Sequence, residues 1–141
     1  MSVNQVSVFL ENKPGTLNKM TEVLAAGNVN MRALSLADTK DFGIARMIVN
    51  DVYEATNVLK NADFVAKFTP VLVYAVPDEA GGLNKLLQAF TESEVNIEYM
   101  YAFSGKNHAY MIFRVNDVKA AEINLAAKGF KSLSQDDLEK V

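Results

Sequence analysis

Gly15-Thr16-Leu17-Asn18-Lys19 returns later in the chain as Gly81-Gly82-Leu83-Asn84-Lys85, and Val49-Asn50-Asp51-Val52 returns as Val115-Asn116-Asp117-Val118. Both pairs are separated by 66 positions. The same offset, without a gap, carries Val29-Asn30 to Val95-Asn96, Leu59 to Leu125 and Phe64 to Phe130. One shared tripeptide can arise by chance. A common offset across the whole unit marks a tandem duplication. The 141 residues are therefore expected to form two domains, 1–69 and 70–141. No stretch rich in Gly, Pro or Ser separates them, and Thr69-Pro70 is the only punctuation at the seam.

Within each copy the hydrophobic period changes in a readable order. Val6, Val8 and Leu10 alternate with Ser7 and Phe9, which predicts a strand. Pro14-Gly15 then opens a helical pattern of Leu17, Met20, Val23 and Leu24, closed by Gly27. Strands follow at Val29 to Leu36 and Ile44 to Val49, joined by a polar turn from Asp38 to Asp41. Asp51 is placed to cap a second helix, and Phe64 to Phe68 reads as a last strand. The second copy repeats this order and ends in a strand at Phe130 to Leu133, after which Ser134 to Asp137 forms a capping box. The expected fold is α+β: two ferredoxin-like βαββαβ repeats, antiparallel sheets with helices on one face. Alternation places Ile97, Tyr99, Tyr101 and Phe103 together on the face away from the helices, which demands a second cover.

Composition narrows the function. The chain is 50% apolar and 22% charged, enough to fill a core and too apolar for disorder. Its net charge of −3 lacks the basic footprint of nucleic-acid binding. Without cysteine, disulfides and thiolate metal sites are excluded. The first residues lack the basic and apolar regions of a signal peptide. The longest apolar run, Val71 to Val76, is six residues, far short of a membrane span. These features lead us to expect a soluble, cytoplasmic protein.

Candidates for catalysis are few. His108 is the only histidine and sits beside the predicted turn Lys106-Asn107. Asp117 and Asp136-Asp137 stand at helix starts, where capping accounts for them. No enzyme activity, cofactor or metal is expected. A sheet of this order also suits RNA binding, but Gly43-Ile44-Ala45-Arg46-Met47-Ile48-Val49 lacks the basic and aromatic signature for stacking bases. The informative segments are the first strand–helix junctions, Asn12-Lys13-Pro14-Gly15-Thr16-Leu17 and Asp78-Glu79-Ala80-Gly81-Gly82-Leu83. Glycine lets the main chain turn sharply, and the free N–H groups of the following helix suit a carboxylate. Asn12 and Asp78 supply acceptors suited to an ammonium group. The same residues serve equally to hold a tight turn through an Asx-type hydrogen bond.

The repeat order, the Asn12–Leu17 loop and Gly27-Asn28-Val29-Asn30 closely resemble the ACT domain, a small amino-acid-sensing regulatory module of biosynthetic enzymes. Residues 3–68 and 70–134 match two such domains, and the whole resembles stand-alone tandem-ACT proteins that carry no catalytic domain. The resemblance implies a free amino acid effector held between paired domains, against the first loop and the start of the second strand. In serine-sensing phosphoglycerate dehydrogenase the positions equivalent to Asn12 and Asn30 hold the effector. Carried onto this chain, the ligand-binding residues are Asn12, Lys13, Pro14, Gly15, Thr16, Leu17, Asn30 and Met31. Their second-copy equivalents are Asp78, Gly81, Gly82, Leu83, Asn96 and Ile97. The second copy departs from the family pattern with Ala80 in place of proline and an extra Gly82, expected to loosen its turn. Also implied are a homodimer formed through the aromatic side of the sheets and a partner enzyme, with no nucleic acid or membrane. The alternatives are a ligand-free protein-interaction module and an RNA-binding protein.

Overall fold

Strand β1 (Val3–Glu11) sends Val6, Val8 and Leu10 into one core, while Gln5, Ser7 and Phe9 point to the opposite face. The structure, a computed structural model, describes residues 2–38 and 41–141. Its backbone divides into a unit of Asn4–Thr69 and a unit of Pro70–Val141 that also takes in the N-terminal residues through Val3. After β1 the first unit continues with α1 (Thr16–Ala26), β2 (Met31–Asp38), β3 (Phe42–Val49) and α2 (Val52–Asn61). β3 lies between β1 and β2 and is antiparallel to both, with Leu10 opposite Gly43 and Met31 opposite Val49. Met20 and Leu24 of α1 and Ala55 and Leu59 of α2 join Val6, Val8, Ala45 and Met47 in a single cluster, so both helices cover the same face.

The second unit repeats this plan. β4 (Val65–Pro77) enters it and is followed by α3 (Gly82–Glu92), β5 (Ile97–Ser104), β6 (His108–Val115), α4 (Val118–Ala127) and α5 (Gln135–Glu139). β6 lies between β4 and β5, antiparallel to both. Tyr74, Phe90 and Phe113 form the aromatic centre of its core, with Phe90 and Phe113 rings 4.6 Å apart. The Tyr74 hydroxyl is buried there with no hydrogen-bond partner among the described residues, and burial pushes its pKa well above the ordinary phenol range.

Duplication is visible in the backbone itself. Left-handed residues occur at Gly15, Asn28 and Asp63, and again 66 positions on at Gly81, Glu94 and Gly129. Four of these end helices: the next residue, Val29, Phe64, Val95 or Phe130, donates its N–H to the carbonyl of Leu24, Leu59, Phe90 or Leu125. Each bond closes a helix C-terminus and lays one apolar side chain against another. Gly27 is not the left-handed residue that ends α1; Asn28 is. A Cβ on Gly27 would lie 2.9 Å from Val58, so its role is the close approach of α1 and α2. As expected, Asp51 and Asp117 cap α2 and α4, accepting from the N–H groups of Glu54 and Ala120, and Ser134 and Asp137 form the capping box.

Three local expectations are corrected. Thr69-Pro70 does not interrupt the chain, because β4 runs through it. Phe130–Leu133 is not a strand: Leu133 N–H donates to the Val73 carbonyl at 2.8 Å, beside β4, but Ser132 then bonds Glu122 and Ser134 turns the chain into α5. Ile97 does not share a face with Tyr99, because a bulge between them turns Ile97 into the helix-side core. Of the predicted turn from Asp38 to Asp41, residues 39 and 40 lie outside the described residues. The face away from the helices is apolar and buried at Val71, Val73, Tyr110 and Ile112, leaving Tyr99, Tyr101 and Phe103 half-buried.

Candidate functional site

The two predicted loops share a left-handed glycine turn. Gly15 stands at φ 88°, ψ −13° and Gly81 at φ 88°, ψ −7°, each immediately before a helix with no side-chain cap. A Cβ at either would meet nothing within 4 Å, so glycine serves the left-handed turn rather than space. Ala80 in place of proline therefore leaves the turn unchanged. The extra Gly82 does not loosen it either. Gly82 is buried, its N–H donates to the Glu79 carbonyl at 3.1 Å, and a Cβ would lie 2.4 Å from the Pro77 carbonyl oxygen. The second loop is the more closely packed at this point, where the first carries Thr16.

The first loop is tied down by the N–H groups of Asn12, donating to the Asp41 carbonyl at 3.0 Å, and of Lys13, donating to the Glu11 carbonyl at 3.0 Å. Lys13 and Glu11 also pair through their side chains at 3.0 Å, an exposed contact that adds little stability. Beside this loop lies a cavity of about 650 Å³. Phe9, Phe42, Phe64 and Val65 form apolar walls, Pro14, Gly15 and Thr16 border it, and Lys13, Lys19, Glu11 and Asp63 bring both signs of charge. Lys67 sits over the Phe9 ring at 5.8 Å.

Not all predicted residues meet here. Asn12 lines a smaller recess of about 60 Å³ with Leu17, Leu36 and Gly43. Asn30 and Met31 line a separate recess with Thr21, Glu22 and Leu24. Leu17, Met31, Leu83 and Ile97 pack against the helix-side cores. Register explains the separation: Glu11, next to Asn12, pairs with Phe42, whereas Met31, next to Asn30, pairs with Val49. Asn12 itself lies beside Asp41 and Asn30 beside Asn50, and nine steps along β3 at roughly 3.3 Å each hold the two asparagines about 30 Å apart. Asp78 and Asn96 are separated in the same way, with Pro77 opposite His108 and Ile97 opposite Val115.

Beyond Phe9 and Lys19, which line the cavity, sequence reasoning missed two further contributors. Asn50 accepts the Asn30 N–H through Oδ1 at 2.9 Å and donates its own N–H to the Asn30 carbonyl at 3.1 Å, clamping the start of β2. Its recurrence as Asn116 was the available signal. The turn from Ala62 to Val65 borders the cavity although it follows Asn12 by some fifty residues; nothing local in the sequence marks it. Among the described residues no three His, Cys, Asp or Glu side chains are grouped to hold a metal, and no helix is long and apolar enough to cross a membrane.

Two βαββα copies, each with a left-handed glycine opening its first helix, define a tandem pair of small α+β domains. A family model described as an ACT domain pair matches residues 1–141, and the chain belongs to that family, a regulatory rather than catalytic module. The crystal structure of protein BT0572 from Bacteroides thetaiotaomicron is similar over 100% of this chain and 98% of its own, with 39% identity and a TM-score of 0.94. The ligand-free regulatory subunit of aspartate kinase from Thermus thermophilus shares the fold at 16% identity and a TM-score of 0.66, over 88% of this chain and 90% of that one. The corresponding Thermus flavus subunit does so at 18% and 0.64, over 88% of each chain. None of the curated proteins matches this chain.

Proposed function

We propose that the chain is a non-catalytic cytoplasmic regulator that binds a free α-amino acid at its ACT loops and signals occupancy to a partner enzyme of amino-acid metabolism. The carrying observation is the cavity beside the first loop: small-molecule sized, walled by apolar groups, and charged with both signs next to an uncapped helix start. An amino acid presents the complementary set, a carboxylate for the helix N–H groups and lysines, and an ammonium for Glu11 or Asp63, with Asn12 in the adjoining recess. Within one domain Asn12 and Asn30 are too far apart for one small ligand. We assign the second contact to a partner copy, which makes the working form a homodimer. Asp78 and Asn96 stand at the equivalent positions of the second repeat.

A thermal-shift screen of the twenty amino acids tests this directly. A ligand at 100 times its Kd adds about 2.7 kcal/mol of apparent stability, an easily measured rise in the transition. If no amino acid moves it, the sensor reading fails and a ligand-free interaction module replaces it. Light scattering is expected to report twice the 15.5 kDa chain mass; a single chain mass would refute the homodimer.

A further inference from the structure

We infer that the first repeat is the one that binds, and that it takes an α-amino acid with a large aromatic side chain. The inference rests on the amino-acid-sensing reading and adds which repeat binds and which side chains it accepts. The cavity beside the first loop is walled by three phenylalanines, Phe9, Phe42 and Phe64. Phe9 is 42% exposed and Phe42 57% exposed, so these two rings do not complete a core, whereas Phe64 packs against it. At the offset of 66 their counterparts are Ala75, His108 and Phe130, and Val65 becomes Lys131. Both loops turn through a left-handed glycine at φ 88°, so the turn forms with and without the exposed rings.

Charge follows the same division. Lys13 becomes Glu79 and Asp63 becomes Gly129 in the second repeat, whereas Lys19 is kept as Lys85. The first repeat thus keeps Lys19 and a Lys13 paired with Glu11 at the loop and an anion on the turn after α2, which suits the two ends of a zwitterion beside an aromatic wall. Aromatic walls favour a ligand that lays a ring of its own against them.

Calorimetry on the full chain with L-phenylalanine, L-serine and 3-phenylpropionate separates the parts of this proposal. L-phenylalanine is expected to bind once per chain, at least about fivefold tighter than L-serine. 3-Phenylpropionate, which lacks the ammonium group, is expected to bind more weakly. Phe42→Ala should weaken L-phenylalanine about fivefold or more, Phe9→Ala similarly, and His108→Ala should leave it unchanged. Melting curves confirm that each variant is folded. Two sites per chain would overturn the one-repeat assignment. L-serine binding as tightly as L-phenylalanine, or full affinity in folded Phe42→Ala and Phe9→Ala, would overturn the aromatic preference. Equal binding of 3-phenylpropionate would overturn recognition of the zwitterion. If no amino acid from the full screen binds, the sensor reading itself falls; if others bind and L-phenylalanine does not, only this inference falls.

Discussion

Replacing Gly82 with alanine is predicted to destabilise the second unit through one contact. Gly82 is the first residue of α3, and an added Cβ would stand 2.4 Å from the carbonyl oxygen of Pro77. The obstacle is backbone, so it cannot swing aside as a flexible side chain would. Forcing a methyl group into such a space costs about 1–3 kcal/mol. Alanine regains part of this through its helix propensity, up to about 1 kcal/mol over glycine. The net expectation is a loss of about 1–2 kcal/mol. At a few degrees per kcal/mol for a chain of this size, the melting transition should fall by about 3–10 °C. Scanning calorimetry measures the shift, and urea titration with an unchanged m-value shows that the native state is what changed. Thr16→Ala, at the matching position of the first repeat, should alter stability by less than about 0.5 kcal/mol. Gly81→Ala separates the causes: its Cβ meets nothing within 4 Å, and its expected loss of about 1–2 kcal/mol comes from the φ of 88° alone. A Gly82→Ala protein melting within about 1 °C of the parent would refute the steric argument and show that α3 can back away from Pro77.

If Asn12 contacts the effector's charged end, Asn12→Ala should lower affinity by about 10- to 150-fold by calorimetry, the equivalent of roughly 1.5–3 kcal/mol; a turn-only role predicts unchanged affinity and a stability loss of about 1 kcal/mol. Asp78→Ala should have the smaller effect on binding, because the second repeat lacks the aromatic cavity walls. Asn50→Ala removes the acceptor that holds the Asn30 N–H, so hydrogen exchange at Asn30 should accelerate and stability fall by about 1 kcal/mol. Tyr74→Phe deletes a buried hydroxyl without a partner among the described residues and should leave stability equal or higher in urea titration. The raised Tyr74 pKa adds a pH test. Above about pH 10 the unfolded phenol loses its proton while the folded one keeps it, so stability should fall as pH rises from 9 to 11, and less so in Tyr74→Phe.

The duplication, the strand and helix order through α4 and the capping positions were legible in the sequence, because they depend on residues near one another. Val6, Val8 and Leu10 declare a strand by their period, and Asp51 and Asp117 declare helix starts by their place before an apolar stripe. Local chemistry misled where a residue answered to a distant neighbour. Gly82 reads as slack beside Gly81, yet the Pro77 carbonyl across the loop decides its size. Gly27 reads as the helix stop and does cap α1, but its lack of a side chain also answers to Val58 of the other helix, and the left-handed turn falls on Asn28. Ile97 reads as a partner of Tyr99 until one bulge shifts the register and turns it into the core. The candidate site divides in the same way. Its glycine loops were visible as sequence, but the meeting of Phe9, Phe42 and Phe64 was not. Nor was the separation of Asn12 from Asn30 along β3. Periodicity assigns a side chain to a face of its own element; only strand register and helix docking decide which faces, from residues far apart in the chain, enclose a common space.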